Sequence, residues 1–435
     1  MKKYFKKIIV YIITKEASFV LLKYKPKIVA VTGNVGKTST KDAVATVLQQ
    51  KFFVRKSQKS FNSEIGVPLT ILDCPNGWYN PFLWIKNIFY GLFLLIFPNH
   101  YPNYLVLEVG TDGPGDIKSI TQWLRPDIVV FNKIGKTPVH LEFFKSKEEL
   151  IEEKLHLVKA LKPNGGLVVN GDDGDALRAA SESRSKKVLK FGFLEKNNLV
   201  ASNWHTTFGV SKRTPLGMAF KVKFNGSNLP VVVEGAFGQH NSYALLAAIA
   251  VADLEGINLI QAIGAFSFYS SPPGRLRLIE GVKNSFIFDD SYNSSPTASS
   301  AALDFFAGLP NNSKKICVLG DMLELGEHTK IEHKEVGQKA VGICDILVTV
   351  GSRAKDISLG FYHRGDKSLK SKAFHFDNRE GVAEKLLEII DDYDYILIKG
   401  SQGMRMEKIV EKIMKHPEQK ESLLVRQEKE WLLKK

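Results

Sequence analysis

The sequence predicts an α/β protein of two domains, each built on a largely parallel sheet. Three observations predict it. A glycine loop, Gly33-Asn34-Val35-Gly36-Lys37-Thr38, lies between an apolar run, Ile28 to Val31, and a helical stretch, Lys41 to Gln50. Strand-length apolar runs then alternate with helix-length amphipathic ones as far as about residue 270. A second alternating series begins after Ser271-Pro272-Pro273-Gly274-Arg275. Alternation of this kind puts parallel strands in a sheet covered on both faces. The reading is a P-loop central domain over residues 28–270, then a smaller Rossmann-like α/β domain over residues 271–415.

Composition narrows the class. The 435 residues are 44% hydrophobic and 24% charged, an ordinary globular balance. The formal net charge of +14 suits anionic partners: nucleotides, acidic substrates or a membrane surface. It also fits a lysine-rich solvated surface. No basic motif with interleaved aromatics is present, so no nucleic acid is expected. Cys74, Cys317 and Cys344 are odd in number and far apart. They form no disulfide framework or zinc spacing, which predicts a reducing cytoplasm.

Residues 1–27 form a basic arm with Lys2, Lys3, Lys6 and Lys7. Phe5, Ile8, Ile9, Ile12, Phe19 and Val20 follow helical spacing. Such a helix lies on a membrane surface or packs against the first domain. After the glycine loop comes a polar stretch, Phe61-Asn62-Ser63-Glu64-Ile65-Gly66-Val67-Pro68. An apolar insertion, 78–100, contains the most apolar run, Phe82 to Phe97. As a helix that run spans roughly 24 Å, short of the roughly 30 Å hydrocarbon core. It is not a transmembrane helix; an interfacial helix, a buried hairpin and a core helix stay open.

Tyr104 to Val109 reads as a strand ending in Glu108-Val109-Gly110. A helix over Gly115 to Trp123 and a strand over Asp127 to Phe131 follow. His140 falls in a loop before a charged helix, Ser146 to Leu161, that carries Lys154. Leu167 to Asn170 is the next strand. From Val188 to Val233 short alternating segments with Gly and Asn turns predict antiparallel strands appended to the domain. Gly238-Gln239-His240-Asn241 opens an alanine-rich helix running to Leu254. In the second domain, strands are expected at 286–289, 315–319, 346–350 and 395–398. Helices are expected at 296–306, 328–341, 379–390 and 404–414. The tail, 416–435, reads as charged and helical.

The chemistry concentrates in the glycine loop. Its backbone N–H groups and the helix N-terminus behind it are suited to a phosphate. Lys37 would reach the β- and γ-phosphates and the Thr38 hydroxyl would sit on Mg²⁺. The spacing Gly-x-x-Gly-Lys-Thr is two residues shorter than the general P-loop pattern; a glycine turn with a helix-capping Thr is the plainer alternative. Glu108, at a strand end, is placed to hold Mg²⁺ directly or through water.

Taken together, these motifs resemble the Mur ligase family, its MurF type most closely, over residues 28–410. The ordered set is the glycine loop, Phe61 to Pro68, Glu108-Val109-Gly110, His140-Leu141-Glu142, His240-Asn241 and Pro273-Gly274-Arg275-Leu276. It continues with Asp289-Asp290-Ser291-Tyr292-Asn293, Leu319-Gly320-Asp321-Met322-Leu323-Glu324-Leu325-Gly326 and Lys399-Gly400-Ser401. The resemblance implies ATP-dependent amide ligation in peptidoglycan synthesis, joining D-Ala-D-Ala to a nucleotide-sugar peptide. It implies that Gly33 to Ser39 (Gly33, Asn34, Val35, Gly36, Lys37, Thr38, Ser39) hold ATP and that Thr38, Glu108 and His140 hold two Mg²⁺ ions. It implies a CO₂-derived carbamate on Lys154, with Lys37, Lys154, His140 and Arg275 as the catalytic group. Asn241 would contact adenine, Arg275 the phosphates after domain closure, and Asp290 the ribose. Asn62, Tyr292, Asn293 and Ser401 would face the substrate. Read alone, Lys154 is one more lysine on a charged helix, His140 an ordinary loop histidine and Asp290 a helix cap.

The family pattern is departed from in three places. Its UDP-sugar-binding domain usually precedes the loop; here about thirty residues do, so the handle is expected to be read differently or to be absent. A second asparagine expected after Asn241 is Ala244, and the acid expected after Lys154 is His156. The first departure sustains an alternative: a truncated ligase acting on a lipid-linked or other acidic acceptor at the inner face of the membrane. A third reading is an ATP-binding scaffold without ligase chemistry.

Overall fold

The computed structural model describes residues 2–58, 61–210, 212–364 and 372–432. The glycine loop leaves the centre of the first sheet. Strand β1 (Lys27–Thr32) lies between β3 (Tyr104–Glu108) and β4 (Ile128–Phe131), parallel to both. The full order is β2-β3-β1-β4-β5-β6-β7-β8-β9, with β2 Val54–Lys56, β5 Gly166–Asn170, β6 Lys187–Gly192, β7 Leu199–Phe208, β8 Pro215–Phe224 and β9 Ser227–Glu234. Because β1 pairs with β3 on one side and β4 on the other, chain order reverses at its carboxyl end. Open α/β sheets form their clefts at such switch points.

The first sheet separates two cores. Val29, Val31, Val106 and Val130 face α2 (Lys37–Leu48) and α8 (Gln239–Leu254). The alternate residues, Ala30, Leu105, Leu107 and Val129, face the other way, as the period of two along a strand requires. That second face carries α1 (Lys2–Tyr24), α3 (Gly66–Leu72), α4 (Pro81–Ile96), α5 (Asp116–Ile120), α6 (Lys147–Lys159) and α7 (Gly174–Glu182). The antiparallel strands expected after residue 188 extend one end of the same sheet. β7 pairs in parallel with the end of β6 through Phe191 and Gly192, and β8 and β9 continue the same sheet antiparallel.

The second sheet has the order β10-β11-β15-β12-β13-β14. Its strands are β10 Arg277–Glu280, β11 Phe286–Asp290, β12 Lys315–Gly320, β13 Ile346–Val350, β14 Lys372–Phe376 and β15 Tyr395–Lys399. Only β10 is antiparallel to its neighbour. After α9 (Leu259–Gly264), helices α10 (Pro296–Ala307), α11 (Thr329–Ala340), α12 (Lys355–Arg364), α13 (Val382–Ile389) and α14 (Glu407–Ile413) cover it.

The structure narrows two readings left open and corrects a third. The insertion is one helix, neither a hairpin nor a core helix: only Trp84, Asn87, Gly91 and Leu94 of α4 are buried. Its start is capped by Asn80, which accepts from the Leu83 N–H. Its end is closed by Lys23 Nζ, which donates to the Leu94, Leu95 and Phe97 carbonyls at 2.8–3.0 Å, a cation satisfying last-turn carbonyls. Helix α1 does pack on the domain, through Ile9, Ile13, Ala17 and Val20, but Ile8 and Phe19 of the same apolar set stay exposed. The side chains of Lys2, Lys3 and Phe5 fall outside the described ones. Among the described residues no helix is long and apolar enough to cross a membrane. The tail is not a charged helix. It makes short turns at Pro417–Gln419, Lys420–Leu423 and Lys429–Leu432, and it buries Leu424, Val425 and Arg426 between them.

Candidate active site

The shape of the glycine loop follows from two glycines and a missing cap. Gly33 has φ 130°, and a Cβ there would come within 2.8 Å of Asn132 Cβ. Gly36 takes the N-cap of α2 in the left-handed region, φ 82°, and no side chain caps the helix. The first-turn N–H groups are therefore open to an anion. Thr38 is inside the first turn rather than capping it, which removes the plainer reading of the loop. Asn34 Nδ2 donates to the Val139 carbonyl at 3.1 Å while its buried Oδ1 has no partner. The buried Arg275 Nε is likewise unpartnered. An anionic ligand with donors and acceptors of its own fits these orphaned atoms.

Thr38, Glu108 and Asn62 come together. Glu108 Oε2 accepts from Thr38 Oγ1 at 2.9 Å and Oε1 from Asn62 Nδ2 at 3.1 Å. The carboxylate is 1% exposed at the end of β3. A hydroxyl beside a buried carboxylate is a hard-oxygen pair suited to Mg²⁺. Among the described residues no three His, Cys, Asp or Glu side chains converge as a metal cage, so such an ion would take its remaining oxygens from phosphate and water. His140 is not beside Glu108 in the hydrogen-bond network. Its Nδ1 lies 2.7 Å from Glu324 Oε2, across the domain interface. That contact, more than desolvation opposes it, holds the Glu324 carboxyl below its ordinary range.

Two lysines meet under the loop. Lys37 Nζ donates to the Gly33 carbonyl at 3.1 Å. It is half-buried by surface area yet densely surrounded, and that desolvation lowers its pKa. Lys154, 1% exposed on α6, is pushed well below the usual lysine range by burial, and then by the charge of Lys37. Asp112 and Glu153 pull the other way. Glu153 is committed to the start of α5, accepting from the Gly115, Ile117 and Lys118 N–H groups.

A cleft of about 360 Å³ opens between the domains beside the loop. Asn132, Asn170, His240 and Tyr243 line one wall; Thr297 and Ser300 line the other. His240 has its pKa lowered to about 4 by burial, so it is neutral, and its buried Nδ1 is unpartnered. Asn241 Nδ2 donates to the Phe237 carbonyl, just ahead of α8, at 2.7 Å. Asp290 is also committed. Its Oδ2 is 2.7 Å from Lys399 Nζ, both buried, and its Oδ1 accepts from the Leu276 N–H. Ser295, not Asp290, caps α10.

Arg275 reaches from the hinge to Thr38 Oγ1 at 3.4 Å, and its guanidinium lies 4.1 Å from the centre of the Tyr292 ring. Gly274, φ 68°, lets the chain turn here, since a Cβ would meet the Tyr292 N at 2.9 Å. The tail supports the same ring. Arg426 donates to the Ser291 and Tyr292 carbonyls and pairs with the buried Glu407 at 2.8 Å. Asn293 offers its carbonyl to Lys399, and Ser401 Oγ accepts from the Leu323 N–H at 2.8 Å. Ser39 is buried beside Tyr269.

Sequence reasoning did not single out Asn132, Tyr243 or Arg426, and it held Glu324 only as part of the Leu319 to Gly326 motif. The end of β4 at a switch point would have singled out Asn132; the others are brought in by tertiary contact.

Two family models match the chain: the Mur ligase middle domain over residues 86–252 and the Mur ligase glutamate ligase domain over 274–402. The UDP-N-acetylmuramoyl-tripeptide–D-alanyl-D-alanine ligase of Bacillus subtilis (strain 168) is 28% identical over 396 residues, covering 90% of this chain and 76% of the relative. The enzyme of the same name from Escherichia coli (strain K12) is 28% identical over 399 residues, covering 91% and 78%. The crystal structure of MurF ligase from Thermotoga maritima in complex with ADP superimposes with a TM-score of 0.76 at 27% identity, covering 94% of this chain and 84% of that one.

Proposed function

The chain belongs to the Mur ligases, and from that premise we propose that it joins D-alanyl-D-alanine to a UDP-N-acetylmuramoyl-tripeptide at the expense of ATP. The observation that carries the proposal is the uncapped α2 N-terminus with Thr38, Glu108 and Arg275 converged on it. The substrate carboxylate attacks the γ-phosphorus, ADP leaves, and an acyl phosphate forms. The amine of the dipeptide then attacks the carbonyl, phosphate leaves with the C–O bond, and the nitrogen loses a proton.

The chain's residues supply what two anions need to approach each other. The α2 N–H groups and Lys37 hold the phosphates, and Arg275 adds a charge from the second domain. Mg²⁺ held by Thr38 and Glu108 would neutralise phosphate oxygens, and a second ion would fall to His140 once its Glu324 contact is exchanged. The nucleoside occupies the cleft beside His240, with Thr297 and Ser300 rather than Asp290 at the ribose. Lys154 is the carbamate candidate: only a neutral amine attacks CO₂, and burial favours that form. Closure over the cleft keeps water from the acyl phosphate. ATP use and free thiols, all three cysteines being unpaired, support a cytoplasmic site of action.

A lipid-borne acceptor is the second reading, favoured by the exposed apolar side of α1 and α4, whose partner Glu64 belongs to the Asn62 segment. Phosphate release with Mg-ATP, the nucleotide tripeptide and D-Ala-D-Ala, each omitted in turn, tests the first. Release needing both acceptors, a pentapeptide product by mass and none with Lys37→Ala is the expected result. Release that ignores either acceptor overturns the proposal.

A further inference from the structure

Helices α1 and α4 are apolar on both sides: Ile9, Ile13, Ala17, Val20, Trp84 and Leu94 are buried against the domain, and a second apolar set faces water. The seam between them holds Glu16, Asn87 and Gly91. Glu16 is 5% exposed with neither carboxylate oxygen hydrogen-bonded, and it packs where a Cβ on Gly91 would stand. Asn87 donates to the Pro75 carbonyl at 2.8 Å. A second set of large apolar side chains points outward. On α1 these are Ile8, Tyr11, Phe19 and Leu22, each more than half exposed. On α4 they are Phe82, Ile85, Phe89, Phe93 and Ile96, with Phe82 80% and Ile96 70% exposed. An amphipathic helix on a water-bathed domain keeps its outer face polar.

The two helices make one face. They lie side by side, held at their carboxyl ends by Lys23 and by Tyr24 Oη, which donates to the Leu94 carbonyl at 2.9 Å. Their charge is one-sided. The sequences of α1 and α4 hold seven lysines (six on α1, and Lys86) against one acid, the buried Glu16. A protein interface is depleted of lysine at its core. A lipid surface instead takes rings and aliphatic tips at the acyl boundary while lysines extend to the headgroups. No described helix can cross the bilayer, so the mode is contact in its plane.

We propose that the α1/α4 face docks on an anionic lipid bilayer. The inference stands independently of the reaction assigned above. The face adjoins the site: Lys6 pairs with Glu64 at 3.0 Å, on the segment whose Asn62 meets Glu108. Trp78, just ahead of α4, meets the Trp431 ring of the tail at 6.2 Å.

The test is co-sedimentation of the full chain with phosphatidylcholine–phosphatidylglycerol vesicles and with phosphatidylcholine alone. Binding to the anionic vesicles, weakened by added salt, is expected. The double variant Phe89→Glu/Phe93→Glu should weaken it by about tenfold or more while melting temperature and phosphate release stay unchanged. Neither residue belongs to the catalytic machinery, so intact release separates loss of docking from loss of folding. Three results overturn the proposal: no binding to either vesicle, equal binding by the double variant, or lipid-free dimerisation in light scattering that the double variant abolishes. A wild-type chain that binds vesicles but releases no phosphate would count against the ligase reading alone.

Discussion

Lys154 and Glu16 are two ionisable side chains held in conditions their charged forms resist. Lys154 is lowered by burial and by Lys37, which keeps its amine available to CO₂. Lys154→Ala should cut acceptor-dependent turnover by about 10²-fold, with partial return on adding formate or acetate. A carbamate signal in ¹³C NMR from labelled bicarbonate should vanish in the same variant. Full activity in CO₂-depleted buffer would sink the carbamate. Glu16 is pushed up to about 7 from 4.5 by burial. Between those values the folded chain keeps a proton that the unfolded chain has lost, so stability falls as pH rises through that window. Glu16→Gln should remove the fall and add roughly 2 kcal/mol at about pH 8, read from urea titrations at about pH 5 and pH 8. A parallel slope in both proteins would show another group is responsible. Lys37, Thr38 and Glu108 were legible because they are contiguous with a loop or end a strand. No spacing reveals that Asn241 and Asp290 have partners within the chain, the Phe237 carbonyl and Lys399.

At the scale of elements, α6 matters because it carries Lys154 under the loop. Its start is fixed by Ser146 Oγ, which accepts from the Glu149 N–H at 3.3 Å, and by Glu149, which accepts from the Lys145 N–H at 2.6 Å. Ser146→Ala should cost about 1 kcal/mol of stability, seen as a lower melting temperature, with turnover reduced as α6 frays. An unchanged melting temperature would mean that packing alone holds this end. Helices with a buried stripe and strands of near-continuous Val, Ile and Leu could be read directly. β10, β14, α12 and the tail could not. β10 is short and pairs antiparallel at an edge, β14 pairs only with β13, and the tail is ordered by Arg426 reaching Glu407 rather than by its own periodicity.

For the whole molecule, the two domains share an apolar seam, where Phe237 packs on Phe288 and Phe305, and polar pairs cross beside it. Thr137 Oγ1 donates to Glu332 Oε1 at 2.5 Å, His140 meets Glu324, and Arg275 meets Thr38. Glu332→Ala should shift the molecule toward an open form, raising the radius of gyration in X-ray scattering and lowering kcat by about tenfold. If both stay at wild-type values, closure does not depend on this contact. The sequence by itself determined the two α/β domains, the glycine loop ahead of α2 and the acid at the end of β3, because local periodicity and glycine spacing specify them whatever packs nearby. Only the tertiary structure decided which wall of the cleft each polar residue serves, that the tail buttresses Tyr292, and that α1 and α4 leave a second apolar side exposed. Those outcomes depend on pairings between residues tens to hundreds of positions apart, and a helical period says which residues share a face but not which face is covered.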